Sequence, residues 1–144
     1  MENRFIDQAA EVLGNRIADV IYSETDEESK REKVIELFMY GAKKDLSMSV
    51  KTTEEEKMEE RNLEVQIWKD EEGVVLKRLV VYTTDEVPFE KMMKKNEFVL
   101  YTEIPTKSLI HVLKENNIDY ILLESIKGDI LLPKSDILDF DAKK

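Results

Sequence analysis

The hydrophobic pattern of this chain changes its period near residue 44, and this change limits the folds that the chain can adopt. From Asn3 to Tyr22 the apolar residues recur at steps of three and four, which is the period of one helix face. Further along, Leu46, Met48 and Val50 alternate with polar residues, as in a half-buried strand. The sequence therefore predicts helices first and a sheet after them.

A second helix is expected to follow the first. Thr25, with Glu28 three residues later, has the spacing of a capping box. The first turns after this box are charged, and an apolar face appears from Val34 to Ala42. We expect the start of this helix to project into water and its end to pack against the rest of the protein.

The rest of the chain predicts a mixed sheet. The expected strands are 46–51, 63–67, 74–82, 97–102, 119–124 and 129–132, with a short helix near Pro88, a helix over 105–116 and a terminal turn after Ser135. A strand-helix-strand crossover is expected over 97–124, and such crossovers are right-handed in about 98% of cases. The predicted fold class is therefore α+β.

One domain is expected over residues 1–144, with a helical part at 1–44 and a mixed-sheet part at 45–144. The length suits a single core, and no stretch rich in glycine or proline divides the chain. The polar run from Thr52 to Asn62 is the only candidate boundary, and we interpret it as a solvated loop or a frayed helical turn.

The charge balance limits the classes of partner that this chain is expected to bind. The chain has 22 Lys and Arg against 32 Asp and Glu, a net charge of −10. This charge repels nucleic-acid phosphates and anionic lipids, so neither nucleic acid nor membrane is expected as a partner. The absence of cysteine excludes disulfides, and the charged N-terminal segment does not have the pattern of a signal peptide. We expect a cytoplasmic protein.

A search for catalytic motifs assigns no residue. The four glycines are too far apart to form a phosphate-binding loop. The single histidine, His111, lies on the helix at 105–116 and is expected to be a surface residue paired with Glu115. Ser108 lies three residues before His111 on the same helix. Any helix can contain a serine and a histidine at this spacing, so the pair is not evidence for a catalytic site. We therefore predict no catalytic residue, no cofactor and no metal site.

Trp68 is the aromatic residue of greatest interest. The alternation of Leu63, Val65 and Ile67 puts Trp68 on the other face of its strand, with Gln66. Two surroundings are open to it: an N-terminal helix covers the ring, or the ring is exposed as an anchor for a partner.

The second half of the chain resembles a known family. The stretch Leu79 to Glu86, which contains Tyr82-Thr83-Thr84, is followed by a helix, a strand, a second helix, and the segments 120–123 and 130–133. This order, over about Leu79 to Phe140, resembles the enhanced-serine-sensitivity (SseB-like) domain, although Glu124-Ser125 stands where that family has Asn-Pro. The resemblance implies a small cytoplasmic bacterial domain without established catalysis that binds other proteins.

Two functions follow as hypotheses. The leading one is a non-enzymatic interaction module that binds a protein partner or itself, with Trp68, Tyr82, Thr83 and Thr84 as the candidate surface. The alternative is a small-molecule-binding or hydrolytic domain, with a carboxylate-lined cleft near the strand ends at Thr83 to Glu86 and at Thr102.

Overall fold

The computed structural model describes residues 2–53, 63–97 and 99–142, with side chains from residue 8 onward. The helices and strands in these ranges follow the predicted order. They are α1 Glu2–Ser23, α2 Glu27–Lys43, β1 Ser47–Lys51, β2 Val65–Lys69, β3 Val75–Tyr82, α3 Glu86–Lys94, β4 Tyr101–Pro105, α4 Thr106–Glu115, β5 Tyr120–Ser125, β6 Gly128–Pro133 and α5 Lys134–Ala142. The predicted α+β class, with an N-terminal helical pair before a mixed sheet, is confirmed.

The strands form one sheet in the order β4-β1-β3-β5-β6, and β2 also pairs with β3. The β3–β5 pair is parallel and the other pairs are antiparallel, so the sheet is mixed. Because β4 and β3 are both antiparallel to β1, β4 runs parallel to β5. The segment β4-α4-β5 is therefore a crossover between parallel strands, as predicted, and its right-handed sense stays a prediction.

Strands β1 and β2 lie along the same side of β3, because β5 occupies its other side. Val50 pairs with Val81, and Val65 pairs with Leu79, which precedes Val81 by only two positions in β3. A bridge between Thr52 and Leu63 closes the excursion that separates β1 from β2. The rest of that excursion, residues 54–62, carries most of the expected polar loop and lies outside the described residues.

The main hydrophobic core fills the space between one sheet face and helices α1, α2, α4 and α5. It joins the helical part to the sheet part, since it includes Ile17 and Phe38 from the helices and Leu79, Val81 and Ile121 from the strands. All five side chains are almost fully buried. Burial of this size is the main favourable contribution to the stability of a small domain.

The second sheet face has a smaller core. Val80 and Tyr82 project from β3 to this side and meet Val87 of α3 and Val99. In the described part of the chain, α3 is the helix that contributes to this cluster. The alternate residues of β3 thus enter two separate cores, so this strand is buried in part on both faces.

Several predicted boundaries are wrong, each for a local reason. Asp26, not Thr25, caps α2, because its carboxylate accepts a hydrogen bond from the Ser29 backbone N–H at 2.9 Å. The strand expected at 97–102 begins only at Tyr101. The preceding Val99 fills the second core instead of pairing in the sheet.

Two other elements are longer than expected. Helix α3 begins at Glu86, two residues before Pro88, which lies buried within the first turn. The terminal turn after Ser135 is in fact the nine-residue helix α5, anchored by the fully buried Ile137.

Helix α1 crosses the end of β3 at a glycine. A Cβ atom built on Gly14 would lie 2.2 Å from the backbone oxygen of Thr83. Side chains do not approach backbone this closely, so the helix can sit at this distance only with glycine at position 14. The close approach sets the position of α1 over the sheet.

We expect the substitution Gly14→Ala to lower the free energy of unfolding by about 2 kcal/mol, because the added methyl must push α1 away from β3. Gly41→Ala is the matched control. Its methyl would meet the flexible end of Leu13 at 2.8 Å, and the better helix propensity of alanine, about 1 kcal/mol, offsets that contact. Urea unfolding followed by circular dichroism measures both, and equal losses in the two variants would contradict the assignment.

Candidate functional site

The predicted surface residues lie in two different places. Trp68 and the ring of Tyr82 both lie on the second sheet face. We call the part of this face that α3 does not cover the open sheet face. Thr83 and Thr84 lie beyond the end of β3, in a cleft between α1, β1 and the start of α3 that Tyr82 also lines. The structure therefore does not bring the four residues together as one surface.

Of the two surroundings expected for Trp68, the structure excludes cover by an N-terminal helix, and the ring is partly exposed. The N-terminal helices pack against the opposite sheet face, so they do not cover its ring. Its ring centroid lies 5.8 Å from that of Tyr120 at 46°, and the Arg78 guanidinium lies 5.1 Å from the Trp68 centroid. The tryptophan is half-buried by these two side chains on the open sheet face.

The two faces of β2 have the orientation that the alternation predicted, but the apolar one is not buried. Val65 is 39% exposed and Ile67 is 64% exposed, and Val75 on β3 beside them is 51% exposed. The alternation of Val65 and Ile67 is typical of a strand whose apolar face packs in a core. Here the main core stops before β2, so these side chains stand at its border in contact with water.

Arg78 is a residue of this site that the sequence patterns did not reveal. It lies opposite Gln66 on β2, and its Nε–H donates a hydrogen bond of 2.8 Å to the Gln66 side-chain oxygen. Within residues 2–53, 63–97 and 99–142, no carboxylate forms an ion pair with it. Pairing strand 74–82 with strand 63–67 through the turn at Gly73 would have placed Arg78 beside Trp68.

An ion pair borders the open sheet face on the side of α3. The Lys91 Nζ lies 2.7 Å from a Glu124 carboxylate oxygen, and Glu124 is buried. Burial alone would lower the pKa of Lys91, but the hydrogen bond and charge of Glu124 outweigh it, so the pKa is raised. The charge of Lys91 is therefore used in a contact within the protein.

Tyr82 belongs to the second core and lies beside Glu124, the carboxylate of this ion pair. Its ring meets Tyr101 edge to face, with centroids 6.2 Å apart. Burial, and then the negative charge of Glu124, raise the pKa of the Tyr82 phenol well above its usual value. Its ring is 1% exposed, so Tyr82 supports the surface rather than forming part of it.

The strand-end cleft has a volume of about 250 Å³. Its lining includes four carboxylates, of which two lie in the expected segment 83–86 and two come from α1 and β4. They are Glu11, Asp85, Glu86 and Glu103. Asp85 accepts a hydrogen bond of 2.8 Å from the hydroxyl of the buried Ser49.

The chemistry available in the strand-end cleft is limited. The hydroxyls of Thr83 and Thr84 are buried and find no hydrogen-bond partner among the described residues, so they cannot reach a bound molecule without rearrangement. Among the residues that the structure describes, no histidine or lysine lines the cleft, and His111 is exposed on α4. In the described part of the chain, Ser49 and Asp85 therefore have no neighbouring imidazole or amine, the groups that usually activate a serine nucleophile.

The described residues hold no cluster of three His, Cys, Asp or Glu side chains that could bind a metal. None of the helices in those ranges is long and apolar enough to cross a membrane. A scan of protein-family models finds no match to the sequence, and searches of curated proteins and of solved structures find none either.

The raised pKa of Tyr82 predicts a loss of stability at alkaline pH. An ordinary tyrosine ionises near its usual pKa of 10.0, whereas Tyr82 stays protonated in the folded chain. Above about pH 10 the unfolded chain therefore binds fewer protons, and the free energy of unfolding falls as pH rises. We expect Tyr82→Phe to make this fall shallower, while Tyr40→Phe, at a half-exposed ring, leaves it unchanged. Denaturant titrations at several pH values measure the slopes, and equal slopes in both variants would contradict the assignment.

Proposed function

We propose that this protein is a non-enzymatic interaction module that binds a segment of another protein on the open sheet face. One observation carries the proposal: Trp68 and Arg78 form a half-buried aromatic and cationic pair in which Arg78 has no carboxylate partner among the described residues. Tryptophan and arginine are enriched among the side chains that contribute most to protein interfaces.

The surroundings of this pair support the same function. Leu76, opposite Trp68 in the sheet, is half-buried on the same face, and Ile67 and Val75 expose apolar surface on the other side of the hairpin. The β2–β3 hairpin therefore presents apolar groups on both faces at one border of the sheet. Exposed apolar surface concentrated in this way is typical of protein contacts.

The resemblance of 79–140 to the SseB-like domain implies the same class of function, and we retain it as part of the proposal. The net charge of −10 supports a protein partner rather than nucleic acid. A small-molecule site in the strand-end cleft is the alternative. We rank it second because the threonine hydroxyls there are shielded and, among the described residues, no base or cation lines the cleft beside the carboxylates.

The test is recovery of a partner that depends on Trp68. We expect the tagged full chain to retain a protein from native lysate, and Trp68→Ala to recover roughly tenfold less of it, because the substitution removes a central anchor of the contact. Tyr22→Ala is the matched control, since Tyr22 is 75% exposed on α1, away from the open sheet face.

The purified partner provides a second readout. Trp68 is the sole tryptophan, so its fluorescence should change on binding. Light scattering shows whether the partner is a second copy of the chain. A strict monomer that retains no Trp68-dependent partner under any growth condition would contradict the proposed function.

A further inference from the structure

One edge of strand β2 carries no strand in the described ranges, and we call it the free edge. In the part of the chain that the structure describes, the ladder partner of β2 is β3, and no strand pairs with its other side. The backbone N–H and C=O groups on that side can form hydrogen bonds with an added strand. Peptide recognition by this kind of strand addition gains affinity from the backbone and specificity from the side chains that alternate along the strand.

The side chain of Arg78 reaches from β3 to the side chains of β2. Arg78 belongs to β3, yet its Nε bonds to Gln66 and its guanidinium lies over Trp68, both of which are on β2. Neighbouring strands are about 4.8 Å apart. The guanidinium is thus held beside the Gln66 side chain of β2, about one strand spacing from the position of an added strand.

Among the described residues, no carboxylate compensates the charge of Arg78, although the protein is acidic overall. The nearby Lys51 already has a partner, with its Nζ 3.2 Å from the Glu64 carboxylate. Arg78 has no such partner among the described residues, and Trp68 holds its guanidinium in place. An arginine fixed in this way binds a carboxylate through two parallel hydrogen bonds.

From these observations we infer that the segment bound in the proposed function is an extended strand that pairs with the free edge of β2 and places a carboxylate side chain on Arg78. Facing residues of adjacent strands have Cβ atoms roughly 4.5–5.5 Å apart. An Asp or Glu opposite Gln66 or Trp68 is therefore within reach of the guanidinium.

The residues on either side of this carboxylate would turn to the other sheet face. There they meet Val65 and Ile67, which are exposed and apolar. The inferred partner segment thus has an acidic residue between two apolar residues in an extended conformation. This inference rests on the proposed function and specifies the chemistry of the partner.

The test uses capped peptides of about seven residues, in which valine and threonine alternate around a central residue. The central residue is glutamate in one peptide and glutamine in the other. Each peptide is titrated into the full chain while Trp68 fluorescence is followed. We expect the glutamate peptide to bind roughly tenfold more tightly than the glutamine peptide, because its bond to Arg78 is charge-assisted.

Three variants assign this preference to its source. Arg78→Gln should abolish the difference between the peptides. Lys77→Gln removes the same charge from the opposite sheet face and should leave the difference intact. Ile67→Lys should weaken the binding of both peptides, because a charged lysine beside the edge disfavours pairing with an apolar strand. Amide hydrogen exchange should slow in β2 when the glutamate peptide binds.

Equal binding of the two peptides, or a preference that survives Arg78→Gln, would overturn the inference. So would a failure of both peptides to bind. A native partner that depends on Trp68 but is unaffected by Arg78→Gln would also overturn it while the proposed function stands. The absence of any Trp68-dependent partner would count against the proposed function itself, whichever peptide binds.

Discussion

Burial of β3 on both of its faces is the constraint on which the other elements depend. Leu79 and Val81 enter the core beneath the long helices, whereas Val80 and Tyr82 enter the core beside α3. A strand buried in this way needs partners along both edges, because its buried N–H and C=O groups must be paired. Strands β1 and β2 satisfy one edge and β5 the other, and α1 can approach the strand end because position 14 is a glycine.

The unequal cover of the two sheet faces creates the candidate surface. Helices α1, α2, α4 and α5 all contribute to one core, whereas in the described residues α3 contributes to the other. Trp68, Arg78 and Tyr120 lie where α3 does not reach, and they partly bury one another. The surface is thus preorganised by contacts within the chain, which lowers the entropic cost of binding.

The sequence was sufficient for the element order but not for the environment of each element. Periodicity depends on local spacing, so α1 and the mixed sheet were predictable. The exposure of Ile67 was not, because it depends on where distant helices end. The late start of β4 likewise depends on Val99 packing against Val80 and Tyr82. Arg78 escaped notice since its role requires the pairing of two strands, and the shielding of Thr83 requires knowledge of the tertiary contacts of α1.

The excursion between β1 and β2 has a consequence for how this chain can evolve. The register of β2 is set by its hairpin with β3 through the turn at Gly73, and the register of β1 by β3 and β4. Neither ladder depends on the number of residues between Thr52 and Leu63. Lengthening a loop adds only a slowly growing entropic cost, about 0.6 kcal/mol for each doubling. Relatives of this protein could therefore differ greatly in length here and keep an unchanged sheet, which makes this position suitable for grafting a peptide or a small domain.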